Sequence, residues 1–171
     1  MAANTLSFAT NPNALSNAPV RSIVQKLQYL LTTFLLKTGG LAIKTGGSAL
    51  AKFANTLYYF VGGNLYKKTT ADCAALSGTV TNAKFNVFVF YIDAAGTLTT
   101  SMGTEGATLA DVVFPAYDPS TKCMIGFAII NPTGTGNFVG GTTPLDDATV
   151  VPNAVYIDTP YPLDPVNMLS L

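Results

Sequence analysis

The ten residues "KFNVFVFYID", Lys84 to Asp93, constrain the fold more than any other stretch of the chain. In an extended backbone, alternate side chains point to opposite faces. Phe85, Val87, Val89 and Tyr91 therefore share one side, and Phe88, Phe90 and Ile92 share the other. Both sides are apolar. Such a strand needs a packed layer above it and another below, which places it centrally in a sheet covered on both faces.

The flanking segments supply the rest of a mainly β fold. "NTLYYFV" and "NLYKKT" are strand-like and are joined by Gly62-Gly63, a favoured two-residue hairpin connection. Asp93-Ala94-Ala95-Gly96 makes a turn that returns the chain through Leu98 and Met102. "CMIGFAII" is the next strong run, with Gly126 inside it as a bulge or a point of close packing. Residues 131 to 153 contain three prolines and four glycines and are expected to be mostly loop, followed by a final short strand in "AVYID". The expectation is a compact antiparallel β-sandwich or barrel-like domain over residues 55–158. Length permits it, since a chain of roughly 150 residues buries close to 70% of its unfolded surface.

Ahead of this domain the pattern changes twice. Residues 1–17 are Asn, Ser, Ala and Thr with few apolar anchors, Phe8 among them, and read as an extended arm. Val20, Ile23, Val24, Leu27, Leu30, Leu31, Phe34 and Leu35 then fall at helical spacing, which predicts an amphipathic helix over residues 18–37. Ser16 or Asn17 can cap it, Pro19 suits its first turn, and Gly39-Gly40 can stop it. Its stripe of Ile23, Leu27, Leu30, Leu31 and Phe34 either covers its own domain's sheet or packs against another subunit. At the other end, residues 159–171 are too proline-rich for regular structure and too apolar for a solvated tail. Tyr161, Met168 and Leu169 are expected to lie on a neighbouring surface.

Between helix and domain, "KTGGLAIKTGG" repeats the unit Lys-Thr-Gly-Gly after seven residues, Lys37 to Gly47. A phosphate-binding loop needs its glycines before the Lys-Ser/Thr pair, so that backbone N–H groups cradle the phosphates and the lysine then reaches them. Here the order is reversed. The Lys-Thr-Gly element of penicillin-binding enzymes needs a Ser-x-x-Lys nucleophile elsewhere, and Ser22 to Lys26 and Ser48 to Lys52 are each one residue too long. The remaining reading is conformational: Gly39, Gly40, Gly46 and Gly47 act as hinges of a glycine-rich connector over residues 38–54.

Composition narrows function. The chain has no His and no Trp, which removes the commonest general base. Its carboxylates are singletons in turn-like settings apart from Asp146-Asp147, which lacks the alternating ligands of a calcium loop. No catalytic residue, metal site or cofactor is expected. Cys73 and Cys123 lie fifty residues apart in no Cys-x-x-Cys pair and read as buried thiols rather than a disulfide. Net charge is zero, so nothing here marks a nucleic-acid partner. The apolar run Val20 to Leu36 carries Arg21 and Lys26 and is too short and polar for a comfortable membrane span. The first residues lack a basic n-region, so synthesis in the cytoplasm without cleavage is expected. Only 11% of residues are charged, against about 25% in ordinary soluble domains, which favours a surface covered by copies of itself or by a partner. Tyr58, Tyr59 and Tyr66 either form a platform for sugar rings or, as ordinary cross-strand pairs, stabilise the sheet.

The succession "NTLYYFVGGNLYKKT", "SGTVTNAKFNVFVFYIDAAGTLTTSMGTEG" and "VVFPAYDPSTKCMIGFAIINPTGTGNFVGGTTPLDDATVVPNAVYID" resembles virion structural proteins of tailed bacteriophages, of the kind on the head surface or in fibres. The resemblance covers roughly Leu41 to Asp158 and rests on pattern, not on a catalytic motif. It implies a β-rich, oligomeric, non-enzymatic component of a virion, made in the bacterial host. The leading expectation is a capsid decoration or cement subunit bound to the major capsid protein or other virion proteins and to copies of itself, with a trimer favoured. A tail, baseplate or head-fibre component and a carbohydrate-binding module are the alternatives.

Overall fold

Alternation of side chains, and the turns that interrupt it, sets the layering of the molecule. The computed structural model describes Val24 and residues 31–159. In chain order the strands are β1 (Phe34–Leu35), β2 (Leu41–Ile43), β3 (Ala51–Phe53), β4 (Leu57–Val61), β5 (Asn64–Lys68) and β6 (Ala71–Asp72). They continue as β7 (Thr79–Val80), β8 (Asn86–Asp93), β9 (Leu98–Met102), β10 (Lys122–Ile130), β11 (Phe138–Val139) and β12 (Val155–Asp158), with one 3₁₀ turn at Leu109–Asp111. The fold is mainly β, and its sheets are antiparallel.

The largest sheet has four strands in the order β12-β10-β8-β9. On one side of β8, Phe88, Phe90 and Ile92 enter the larger core; on the other, Val87, Val89 and Tyr91 enter a second one. All six are buried, as the two-faced apolar pattern requires. In β10 the pairing with β8 slips between Met124 and Gly126, a β-bulge that inserts one residue. The bulge changes the phase of the strand, so Met124 and Phe127, three apart, face the same core. Gly126 is required there: a β-carbon would sit 2.4 Å from the Ile157 carbonyl oxygen on β12.

Two three-stranded sheets cover the larger core, β1-β4-β5 and β2-β3-β6. The first contributes Leu35, Leu57, Tyr59 and Val61, and the second Leu41, Ala51 and Phe53. Gly62 and Gly63 turn the β4-β5 hairpin with φ of 58° and 82°, the left-handed pair that matches strand twist. The smaller core is closed by the segment after β9, where Val112, Phe114 and Tyr117 pack on Val87, Tyr91 and Phe127. Phe114 meets Phe127 edge-on at 5.0 Å between centroids, and Tyr117 stacks on Tyr91 at 5.1 Å. The buried Asn86 side chain donates to the Gly103 carbonyl at 3.1 Å and helps tie that segment down.

Two expectations about the N-terminal part are corrected. The predicted helix over residues 18–37 does not extend that far. Val24, Leu31 and Thr32 are helical, but Phe34 and Leu35 are β1, paired with Phe60 and Tyr59. Tertiary packing overrides the periodicity, because extension buries Leu35 to 1% exposure and stacks Phe34 on Phe60 at 5.0 Å. Likewise residues 38–54 are not a connector outside the domain: they contain β2 and β3, whose hairpin is part of a sheet. The remaining stretch of the expected helix, the arm over residues 1–17 and the tail from residue 160 onward lie outside the described residues.

Candidate functional site

The sheet β1-β4-β5 has one face in the core and one turned outward. Registers Phe34↔Phe60 and Phe60↔Leu65 run one row of side chains across the outer face, and Tyr58↔Lys67 begins the next. Leu36, whose N–H donates to the Tyr58 carbonyl at 2.8 Å, continues that second row. This outer face therefore gathers Phe34, Leu36, Tyr58, Phe60 and Leu65, five large apolar or aromatic side chains from three strands and the residue that follows β1. Leu36 and Leu65 are 54% and 56% exposed, and Tyr58 is 38% exposed. Leu31, 69% exposed, leads into β1. Elsewhere among the described residues the exposed large apolar side chains, Val113, Val139 and Val155, belong to separate segments. Scattered single residues are ordinary, whereas a contiguous apolar patch marks a contact surface.

Polar groups frame this face. The Thr33 hydroxyl accepts from Gly62 N–H at 3.1 Å, and the Thr32 carbonyl accepts from Gly63 N–H at 2.8 Å, so the segment entering β1 is clamped onto the β4-β5 turn. Lys67 places its ammonium 5.7 Å from the Tyr58 ring centroid, which keeps one cation at the rim. Of the three tyrosines considered as a platform, Tyr59 is buried and stacks on Tyr66 at 5.6 Å, with its hydroxyl donating to the Asp93 carbonyl at 3.0 Å. Only Tyr58 faces out, and burial together with Asp93 pushes the Tyr59 phenol up from its ordinary value.

The structure places some predicted contact residues and not others. Phe34 lies on the outer sheet face and Leu31 just before it, so both are surface residues near one patch, though Phe34 reaches it from a strand and not from a helix. Phe8, Ile23, Leu27, Leu30, Tyr161, Met168 and Leu169 lie outside the described residues. Leu36, Phe60 and Leu65 were missed. For Phe60 and Leu65 the signal was present in the alternation of "LYYFV" and "NLYKK", where apolar side chains occupy both faces; Leu36 joins them only through the register of β1 on β4.

The two Lys-Thr-Gly-Gly units occupy different settings. Gly39 is buried, and a β-carbon on it would meet Leu57 Cδ2 at 3.0 Å, Phe53 Cβ at 3.2 Å and Ile125 Cγ2 at 3.3 Å. Gly39 and Gly40 carbonyls accept from Asn55 and Ala54 N–H at 2.9 and 3.1 Å, and Gly40 has φ of 64°. Packing and hydrogen bonding place this pair at a corner of the core, where the sequence led to the expectation of a hinge. Gly46 and Gly47, with φ of 95° and 71°, turn the β2-β3 loop, closed by Lys44 N–H donating to the Leu50 carbonyl at 2.9 Å. Lys44 pairs with Asp72 at 2.7 Å, so this lysine serves an intramolecular ion pair.

Carboxylates are used singly. Asp93 accepts from Thr97 N–H at 2.8 Å, and Asp158 accepts from Leu41 N–H at 3.1 Å. Hydrogen bonds from Thr108 hold Asp111 below the usual carboxylate range; those from Ser120 do the same for Asp118, and those from Thr149 for Asp147. Cys73 and Cys123 are buried free thiols. Among the described residues no cluster of three or more His, Cys, Asp or Glu is placed to hold a metal ion, and no helix is long and apolar enough to cross a membrane. In comparisons with protein-family models, curated proteins and solved structures, nothing matches the chain.

Proposed function

We propose that this chain is a non-enzymatic structural protein of a tailed-phage virion, a decoration or cement subunit that attaches to the major capsid protein of the head shell. The observation that carries the reading is the contiguous outer face of β1-β4-β5, with Phe34, Leu36, Tyr58, Phe60 and Leu65 on one exposed side. A face of this kind is costly to leave wetted, and covering apolar surface contributes roughly 25 cal/mol per Å². Low charge supports the same reading, because with nine basic and nine acidic residues the chain has no net charge for long-range steering, and its affinity must come from area. Many copies on a lattice then add avidity, which makes a modest patch sufficient. The phage context rests on the segment pattern described above.

The reading is tested by labelling particles with an antibody to this protein and imaging them. Many copies distributed over the head are expected. Label restricted to the tail or baseplate rejects the decoration role, and its absence from particles rejects the virion role altogether.

A further inference from the structure

A second site lies where the β2-β3 hairpin, the loop after β11 and the edge strand β12 meet. A cleft of about 270 Å³ opens there, walled by Ile43, Leu145, Val151, Ala154 and the ring of Tyr156, with Asp146 among its lining residues. It is smaller than the roughly 300–1,000 Å³ of ordinary ligand clefts, which suits one side chain or a small organic ion and not a cofactor. Apart from Asp146 and the Tyr156 hydroxyl, the side chains named carry no polar atoms. Among the described residues the Asp146 carboxylate has no hydrogen bond or ion pair. Lys44, in the adjoining β2-β3 loop, is already paired with Asp72. The Tyr156 hydroxyl is buried and has no hydrogen-bond partner among the described residues. Burial, and then the charge of Asp146, push its pKa up to about 12, so at neutral pH it remains a hydroxyl able to accept a proton donor.

Two features hold the carboxylate in position. Leu145 N–H donates to the Ser48 carbonyl at 2.9 Å, which anchors the loop on the β2-β3 hairpin. Gly47 lies under Asp146, where a β-carbon would come within 2.9 Å of Asp146 Oδ2. The second Lys-Thr-Gly-Gly unit thus backs an acidic group instead of gripping an anion. An exposed carboxylate at the cleft and an unpaired hydroxyl beside apolar side chains fit a ligand with a cationic donor at one end and an aliphatic stem at the other.

We propose that this cleft binds a primary alkylammonium group, with its charge on Asp146 and its methylenes against Ile43, Leu145, Val151 and Ala154. A lysine side chain of a partner protein and a free aliphatic amine share that chemistry. The proposal is independent of the virion reading, since it concerns a different surface.

The test is a chemical-shift titration of the isotope-labelled full chain with n-butylammonium chloride. Ammonium, calcium and n-butanol are titrated separately as controls. Saturable shifts confined to Ile43, residues 145–151 and Tyr156 are expected with n-butylammonium, with about tenfold or greater weakening in Asp146→Asn. Because Asp146 is exposed, that variant retains the fold. Equal responses to ammonium or calcium remove the stem from the account, and equal responses to n-butanol remove the charge. Unchanged affinity in Asp146→Asn, or no shifts at these residues, overturns the site. Nα-acetyl-lysine N-methylamide identifies the source: binding as tight as n-butylammonium assigns the cleft to a lysine within a chain, and much weaker binding assigns it to a free amine.

Discussion

Replacing Gly39 with Ala separates a corner of the core from a hinge. The added β-carbon meets Leu57, Phe53 and Ile125 at 3.0, 3.2 and 3.3 Å, all tighter than ordinary van der Waals contact. Leu57, Phe53 and Ile125 are themselves fully buried, so none of them can move into open space. Overpacking of this kind costs about 1–3 kcal/mol. Each kcal/mol lowers Tm by roughly 2–4 °C for a chain of 150–250 residues, so the expected fall is about 2–12 °C. Gly46→Ala is the comparison, because a β-carbon there meets nothing within 4 Å and only the φ of 95° is strained. Urea denaturation of the three proteins, followed by tyrosine fluorescence and by circular dichroism, measures the difference directly. Gly39→Ala within about 0.5 kcal/mol of the parent, the range of a surface change, refutes the reasoning and restores a swivel outside the domain.

Three further outcomes follow from buried groups. Tyr59→Phe removes the hydrogen bond to the Asp93 carbonyl and is expected to lower the unfolding free energy by about 1 kcal/mol in urea, with no change in m-value. Burial raises Cys73 and Cys123 from 9.0 to about 12, so above pH 9 the unfolded chain loses thiol protons that the folded chain keeps. Stability is therefore full below pH 9 and declines as pH rises toward 12, by up to about 1.4 kcal/mol per thiol per pH unit; a flat profile between pH 9 and 11 contradicts the burial. The same thiols are expected to react with a disulfide reagent at pH 8 only at the rate of unfolding, and prompt reaction in the folded state refutes their enclosure.

How much of this was legible in the sequence depended on strand length. The eight residues of β8 carry enough alternation to reveal two covered faces, and in β10 Gly126 was recognisable as an irregularity within an apolar run. The β4-β5 hairpin was equally clear, because Gly62-Gly63 permits the left-handed turn that joins the strands. Strands of two or three residues carry no period. β2, β3, β6, β7 and β11 exist because neighbours present free backbone groups, a property of the assembled sheets that no local window contains. Phe34 and Leu35 misled for a different reason: they continue a stripe of helical spacing, and only the partners Phe60 and Tyr59 decide that they extend. The outer apolar face was half legible for the same cause, since Phe34 and Tyr58 were singled out separately and only the register of β1 on β4 brings them together. Gly39 was read through its conformational freedom, whereas its neighbours make lack of a side chain the reason it is needed.

The proposed attachment face can be measured alone, because its leucines are half exposed already. With Leu36 and Leu65 at 54% and 56% exposure, about half of a leucine's burial energy remains to be gained on docking, roughly 1 kcal/mol for each. Leu36→Ser combined with Leu65→Ser is thus expected to weaken each attachment by about 2 kcal/mol, near 30-fold, while the fold persists. The decisive measurement is co-sedimentation of the parent chain and this double variant with purified phage heads stripped of the protein. The account predicts saturable pelleting of the parent with the shells and its loss, by about 30-fold or more in concentration, in the variant. A folded variant that pellets as tightly as the parent, or a parent chain that stays in the supernatant, contradicts it.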